Sequence, residues 1–123
     1  YSGGGEMAIG TAEILQQLCR VPVQVITVCG VFSGNGSLDA IEDVAMVVGS
    51  RDPVAALGRI AYPGRLPFLF LSNWNRWQRL HPLHRYPIEG MSHNGFTGPF
   101  SVTFRGAVVN VICRELGRFS LKA

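Results

Sequence analysis

Apolar positions near the start of the chain recur at steps of three and four. Met7, Thr11, Ile14, Leu15, Leu18 and Cys19 fall on one side of a helical wheel. The segment EMAIGTAEILQQLC therefore predicts an amphipathic helix, weakened by Gly10 and ended before Pro22. The next run, VQVITVC, is apolar and β-branched on both faces, the pattern of a central strand covered from two sides. GVFSGNGS reads as a flexible connection. In LDAIEDVAMVV, the residues Leu38, Ile41, Val44, Ala45 and Val48 share a helical face behind Ser37 as N-cap. That spacing predicts a helix stopped by Gly49, with a strand over VAMVV as the second choice. Asp52 and Pro53 then open a short helix to about Ile60, because aspartate caps and proline suits the first helical position.

In the second half the periodicity shortens. PFLFL, between Leu66 and Leu71, predicts a buried strand. Residues 72–95, broken by Pro82, Pro87, Gly90 and Gly95, predict a long irregular connection. Phe100, Val102 and Phe104 alternate with polar neighbours, so FSVTFRGAVVNVIC reads as one strand bent at Gly106 or as a hairpin turning there. These elements predict a single α+β domain over residues 1–123, with an α/β-like N-terminal half (helix, central strand, helix) and a β-rich C-terminal half.

Composition adds a packed core and an unusual charge distribution. The chain is 47% hydrophobic and only 15% charged, which points to a partly covered surface and to self-association or a larger assembly. Residues 1–52 carry two arginines against six acids, a balance of −4; residues 53–123 carry eight arginines and Lys122 against two acids, a balance of +7. From Arg59 to Tyr86 there is no acid at all, and the basic half points to nucleic acid, another polyanion or an acidic protein surface. No charged-then-apolar leader and no apolar run of about 18 residues is found, so an intracellular, chiefly cytoplasmic protein without a membrane span is expected. The start at Tyr1 rather than methionine is expected of a fragment or a product processed from a longer precursor.

Several stretches could carry chemistry. Gly3, Gly4 and Gly5 enter a helix, where exposed N–H groups make a weak anion site, although neither a P-loop nor a GxGxxG spacing is present. GGGEMAIGTAEILQQL followed by VPVQVITVCG resembles the opening of the nucleotide-binding half of GT-B glycosyltransferases that act on diacylglycerol, and VVGSRDPVAAL resembles the strand and helix that follow. The resemblance covers about half the chain. It implies a nucleotide-sugar site, but the later Gly-rich and Glu-containing loop of that family is missing, so no catalytic residue carries over.

NWNRWQRLHPLHRY interleaves two tryptophans with arginines, and such a mixture can stack on bases while meeting phosphates. The face expected to bind nucleic acid, RNA above all, comprises Arg65, Trp74, Arg76, Trp77, Arg79, His84, Arg85 and Arg105. The opposing reading makes the tryptophans core anchors. His81, His84 and His93 lie close in sequence but lack metal-ligand spacing, and Cys19, Cys29 and Cys113 are read as small buried hydrophobes; neither metal nor cofactor is expected. Ser33, Ser37, Ser72, Ser92 and Ser101 lie in no nucleophile-elbow context. The leading expectation is thus a non-enzymatic binding module for nucleic acid. A structural or assembly protein processed from a larger precursor or particle comes second, and a small nucleotide- or nucleotide-sugar-binding enzyme domain third.

Overall fold

A computed structural model describes residues 1–121, the side chain of Arg59 excepted, so the charges counted above for Arg59 and Lys122 lie outside the described residues. The elements run α1 (Gly4–Cys19), β1 (Val23–Val28), β2 (Ile41–Gly49), α2 (Pro53–Ala61), α3 (Asn73–Leu80), β3 (Leu83–Ile88) and α4 (Arg105–Ser120). The α+β class is what the chain adopts. Among the described residues three strands form one sheet in the order β1-β2-β3, and both pairings are parallel.

Several local expectations are overturned. Residues 41–49 form a strand, the second choice above, because Asp43 through Val47 are all buried, and only an element covered on both faces can bury consecutive side chains. That makes β2 the centre of the sheet and leaves β1 at its edge. The C-terminal half is not β-rich. After residue 62 it holds α3, β3 and α4. FSVTFRGAVVNVIC is helical from Arg105 because Phe104, Val108, Val111, Ile112 and Glu115 recur at helical spacing against the sheet, and that burial overrides the β preference of its valines. PFLFL is no strand either. Its chain turns, with Leu69 N–H donating to Leu66 O and Ser72 N–H to Leu69 O, while Asn75 and Arg79 of α3 supply donors to its carbonyls. Residues 72–95 are less irregular than expected, since Ser72 accepts from Asn75 N–H as an N-cap for α3 and β3 follows.

α1 and α2 form where expected, and Asp52 caps α2 by accepting from the N–H groups of Val54 and Ala55. The inward face of α1, however, is the small one. Gly5, Ile9 and Ala12 are buried, whereas Met7, Ile14, Leu15 and Leu18 are exposed. One side of the sheet packs Val23, Val25, Val44 and Met46 against α1, Phe32, Leu38 and the tryptophans of α3; the other packs Val28 and Val47 against Val108 of α4. Among the described residues no helix is long and apolar enough to cross a membrane.

Parallel pairing has one consequence for chemistry. All three strands end at the same rim, where carboxyl ends of strands commonly hold ligands. Backbone bonds staple the segments there: Ser2 N–H donates to Val28 O, Val31 N–H to Ser2 O, Cys29 N–H to Val47 O and Arg51 N–H to Met91 O.

Candidate active site

The segments leaving the three strands bring Cys29, Asp52 and His93 together at this rim, and the turn into α1 adds Ser2. Asp52 stands three residues beyond β2 and His93 five beyond β3. Gly49 permits the approach: a Cβ there would meet Met91 O at 2.3 Å, so only glycine lets the loop carrying His93 lie on the end of β2. His93 Nδ1 sits 3.0 Å from both carboxylate oxygens of Asp52, and Nε2 sits 2.9 Å from Ser2 Oγ.

The proton positions follow from charge. Burial works against the ionised form of Asp52, but hydrogen bonds from His93 and from Ala55 N–H outweigh it and hold the carboxyl below its usual range. An ionised carboxylate only accepts, so His93 Nδ1 carries a hydrogen and donates to Asp52, while Nε2 lies within hydrogen-bond reach of the Ser2 hydroxyl. The resulting relay runs Ser2 to His93 to Asp52. Its inner members are buried, while Ser2 is half-exposed.

Ser2 also has a strained backbone, with φ at +49°, in the left-handed region that costs a non-glycine residue about 1–3 kcal/mol. The compensation is visible: Ser2 O accepts from Gly5 N–H at 3.0 Å and Val31 N–H at 2.9 Å, bonds of about 1 kcal/mol each. Cys29 shares that conformation, also at φ +49°. α1 begins at Gly4 with Gly3 as its N-cap, and Gly3 N–H donates to no acceptor among the described residues. The Tyr1 ring stacks on His93 at 5.3 Å and meets Phe100 edge-on at 4.9 Å. A cleft of about 200 Å³, lined by Tyr1, Asn94 and residues 98–101 among others, adjoins the site.

Cys29 is the alternative nucleophile, and its environment argues against that role. Burial first, then a hydrogen bond and the charge of Asp52, push its thiol up to about 12, so it stays protonated at neutral pH. Ligand atoms of Cys29, Asp52 and His93 lie within 4.8 Å of one another, a spacing that admits a cation. Asp52 is already committed to His93 and the cap of α2, so a cation there would compete with those bonds.

The residues expected to bind nucleic acid do not share one face. Trp74 and Trp77 are 3% and 5% exposed, stack on each other in the core, and Trp77 Nε1–H donates to Ile41 O; buried rings offer no platform for bases. They are core anchors. The Arg65 guanidinium lies 4.0 Å over the Phe32 ring. Arg76 and Arg79 are exposed on α3, and Arg85 is exposed on β3. His84 lies on the α4 side of the sheet, 4.0 Å from Asp43, and Arg105 is exposed at the start of α4. Gly3, Gly4 and Gly5 do form a turn into a helix, beside Ser2. The three histidines part company: His81 stacks on Trp77 while His93 joins the relay.

Sequence reasoning missed Ser2, Asp52 and His93 as a set. The legible signals were a serine directly before glycines that open a helix, and an acid and a histidine shortly after apolar strands. The chain matches no known protein family, no curated protein and no solved structure in comparisons with each.

Proposed function

We propose that this chain carries the nucleophile, base and orienting acid of a serine hydrolase acting on carboxylic esters or related acyl compounds. One observation carries the reading: the continuous hydrogen-bonded relay from a half-exposed hydroxyl on a strained turn, through an imidazole, to a buried carboxylate. Nucleophile and base within hydrogen-bond reach, with the base oriented by a third group, is the general pattern of nucleophilic catalysis. A serine on a sharp turn into a helix, with chain order Ser, Asp, His, is also the arrangement of α/β-hydrolases. That likeness is an analogy and adds to the geometry without replacing it.

The steps follow from the atoms. Ser2 Oγ attacks the acyl carbon while its proton passes to His93 Nε2, and Asp52 stabilises the imidazolium so formed. The carbonyl oxygen becomes an oxyanion, for which Gly3 N–H, next to Ser2 at the N-terminus of α1, is an uncommitted donor. Collapse breaks the ester bond, and His93 returns the proton to the departing alcohol. Water then adds to the acyl-serine with His93 again as base, releasing the acid and restoring Ser2.

A fluorophosphonate probe followed by peptide mass spectrometry tests this. The expected result is a single adduct on Ser2, abolished in Ser2→Ala and in His93→Ala, with turnover of p-nitrophenyl esters insensitive to EDTA. No adduct on Ser2 together with no ester turnover overturns the proposal; turnover that requires added zinc replaces it with a metal site.

A further inference from the structure

The segment that fails to form a strand leaves a run of exposed apolar side chains. Phe68, Phe70 and Leu71 are 70%, 62% and 73% exposed, with Leu69 between them, an arrangement a folded chain has no internal reason to keep. Their backbone is nonetheless held firmly. Asn75 donates to Leu66 O and Leu69 O, and Arg79 to Phe70 O. The tip is therefore presented by the fold and is no frayed loop.

Its place is the rim that holds Ser2. Glu6, one helical turn beyond Ser2, accepts from Ser33 Oγ at 2.8 Å, and Asn35 N–H donates to the same Oγ. Asn73 in turn donates to Asn35 O, and Gly64 lies so close to Asn35 that a Cβ would meet its Oδ1 at 2.8 Å. This chain of contacts ties both ends of the apolar tip to the turn that carries the nucleophile. On α3, which follows the tip, Arg76 and Arg79 are both exposed; Arg79 reaches the tip at Phe70 O, while Arg76 lines a neighbouring cleft that also holds Asp39.

An exposed apolar tip followed by a helix with two exposed arginines fits one kind of partner. We propose that residues 66–71 dock the protein peripherally on an anionic phospholipid surface, the phenylalanines and leucines entering the acyl boundary while Arg76 and Arg79 meet the headgroups, so that esters of lipids at that surface are the substrates. The substrate half of this inference rests on the serine-hydrolase reading; the docking half does not. Nucleic acid would use the arginines but leave the apolar tip in water, which makes it the less complete fit.

Vesicle co-sedimentation with the Ser2→Ala protein separates the two halves. It is expected to bind phosphatidylcholine vesicles containing phosphatidylglycerol, and to bind pure phosphatidylcholine at least about tenfold more weakly. Phe68→Ser with Phe70→Ser should cost more than about tenfold in binding. Arg76→Gln should cost about fivefold, as expected of one headgroup charge. In the otherwise unaltered protein, the double phenylalanine variant should keep its turnover of a soluble p-nitrophenyl ester and lose most hydrolysis of vesicle-borne lipid ester. Binding that is absent, or unchanged by the phenylalanine substitutions, overturns the docking and leaves the hydrolase standing. Salt-dependent binding of single-stranded RNA in place of vesicles overturns it in favour of nucleic acid. Vesicle binding without any ester turnover overturns the substrate half alone.

Discussion

The same three strands carry two clusters of ionisable side chains. Beneath α4, on one face of these strands, Arg118 donates to Asp43 at 2.7 Å and to Glu115, and Tyr86 donates to the other oxygen of Glu115. At their C-terminal ends stand Ser2, His93 and Asp52. Both clusters contain a buried carboxylate held in its charged form by hydrogen bonds. In the first, each strong donor ends on a buried acceptor, and the guanidinium is pushed further up, chiefly by its bond to Glu115. In the second, the relay ends on a half-exposed hydroxyl whose oxygen still has lone pairs to offer. Burial and charge alone thus mark a brace; a site needs a chain of polarised bonds that stops at solvent.

The contrast can be broken most severely at Ser2. Ser2→Ala should lower ester turnover by about 10⁴-fold or more while thermal unfolding is unchanged, which steady-state kinetics beside calorimetry would establish. Asp52→Asn keeps a good N-cap for α2 but permits the wrong imidazole tautomer. Its expected loss is about 10⁴-fold in kcat with a change of only a few degrees in Tm. Glu115→Gln should do the reverse, leaving turnover within about threefold but costing about 3 kcal/mol of stability in urea titrations, because Arg118 and Tyr86 lose a buried partner.

That last difference should depend on pH with a definite sign. Burial opposes the charge on Glu115, yet hydrogen bonds from Arg118 and Tyr86 prevail, so the folded carboxyl titrates below its ordinary 4.5. A depressed acid contributes stability above its unfolded value and forfeits it as pH falls through the folded one. The gap between Glu115→Gln and the parent protein should therefore be full near neutrality and close below about pH 4.5 in acid unfolding curves. The smallest effect belongs to Cys29→Ala, which should alter turnover by less than about twofold, as suits a thiol that keeps its proton.

What the sequence revealed depended on whether a side chain's surroundings were local. The helix opened by Asp52 and Pro53 was legible because capping is decided within four residues. Leu38 to Val48 was ambiguous because its apolar positions satisfy a helical face as well as a doubly covered strand, and tertiary pairing with β1 and β3 decided the matter. Once the second half was read as β-rich, the parallel sheet was lost, and with it the reason for Ser2, Asp52 and His93 to converge across 91 positions of sequence. Trp74 and Trp77 misled in the opposite direction: their spacing suits stacking on bases as well as anchoring a helix, and only burial separates the two.

The site also rests on an atom that is missing. Gly49 takes part in no proton transfer, bears no charge and lies on a strand. Yet a methyl group there would collide with the carbonyl of Met91 and lift the loop that brings His93 to Asp52. Selection for turnover in a lineage of such chains would therefore weigh on a chemically silent position as heavily as on the nucleophile. A survey of variants that looked only for reactive side chains would pass over it.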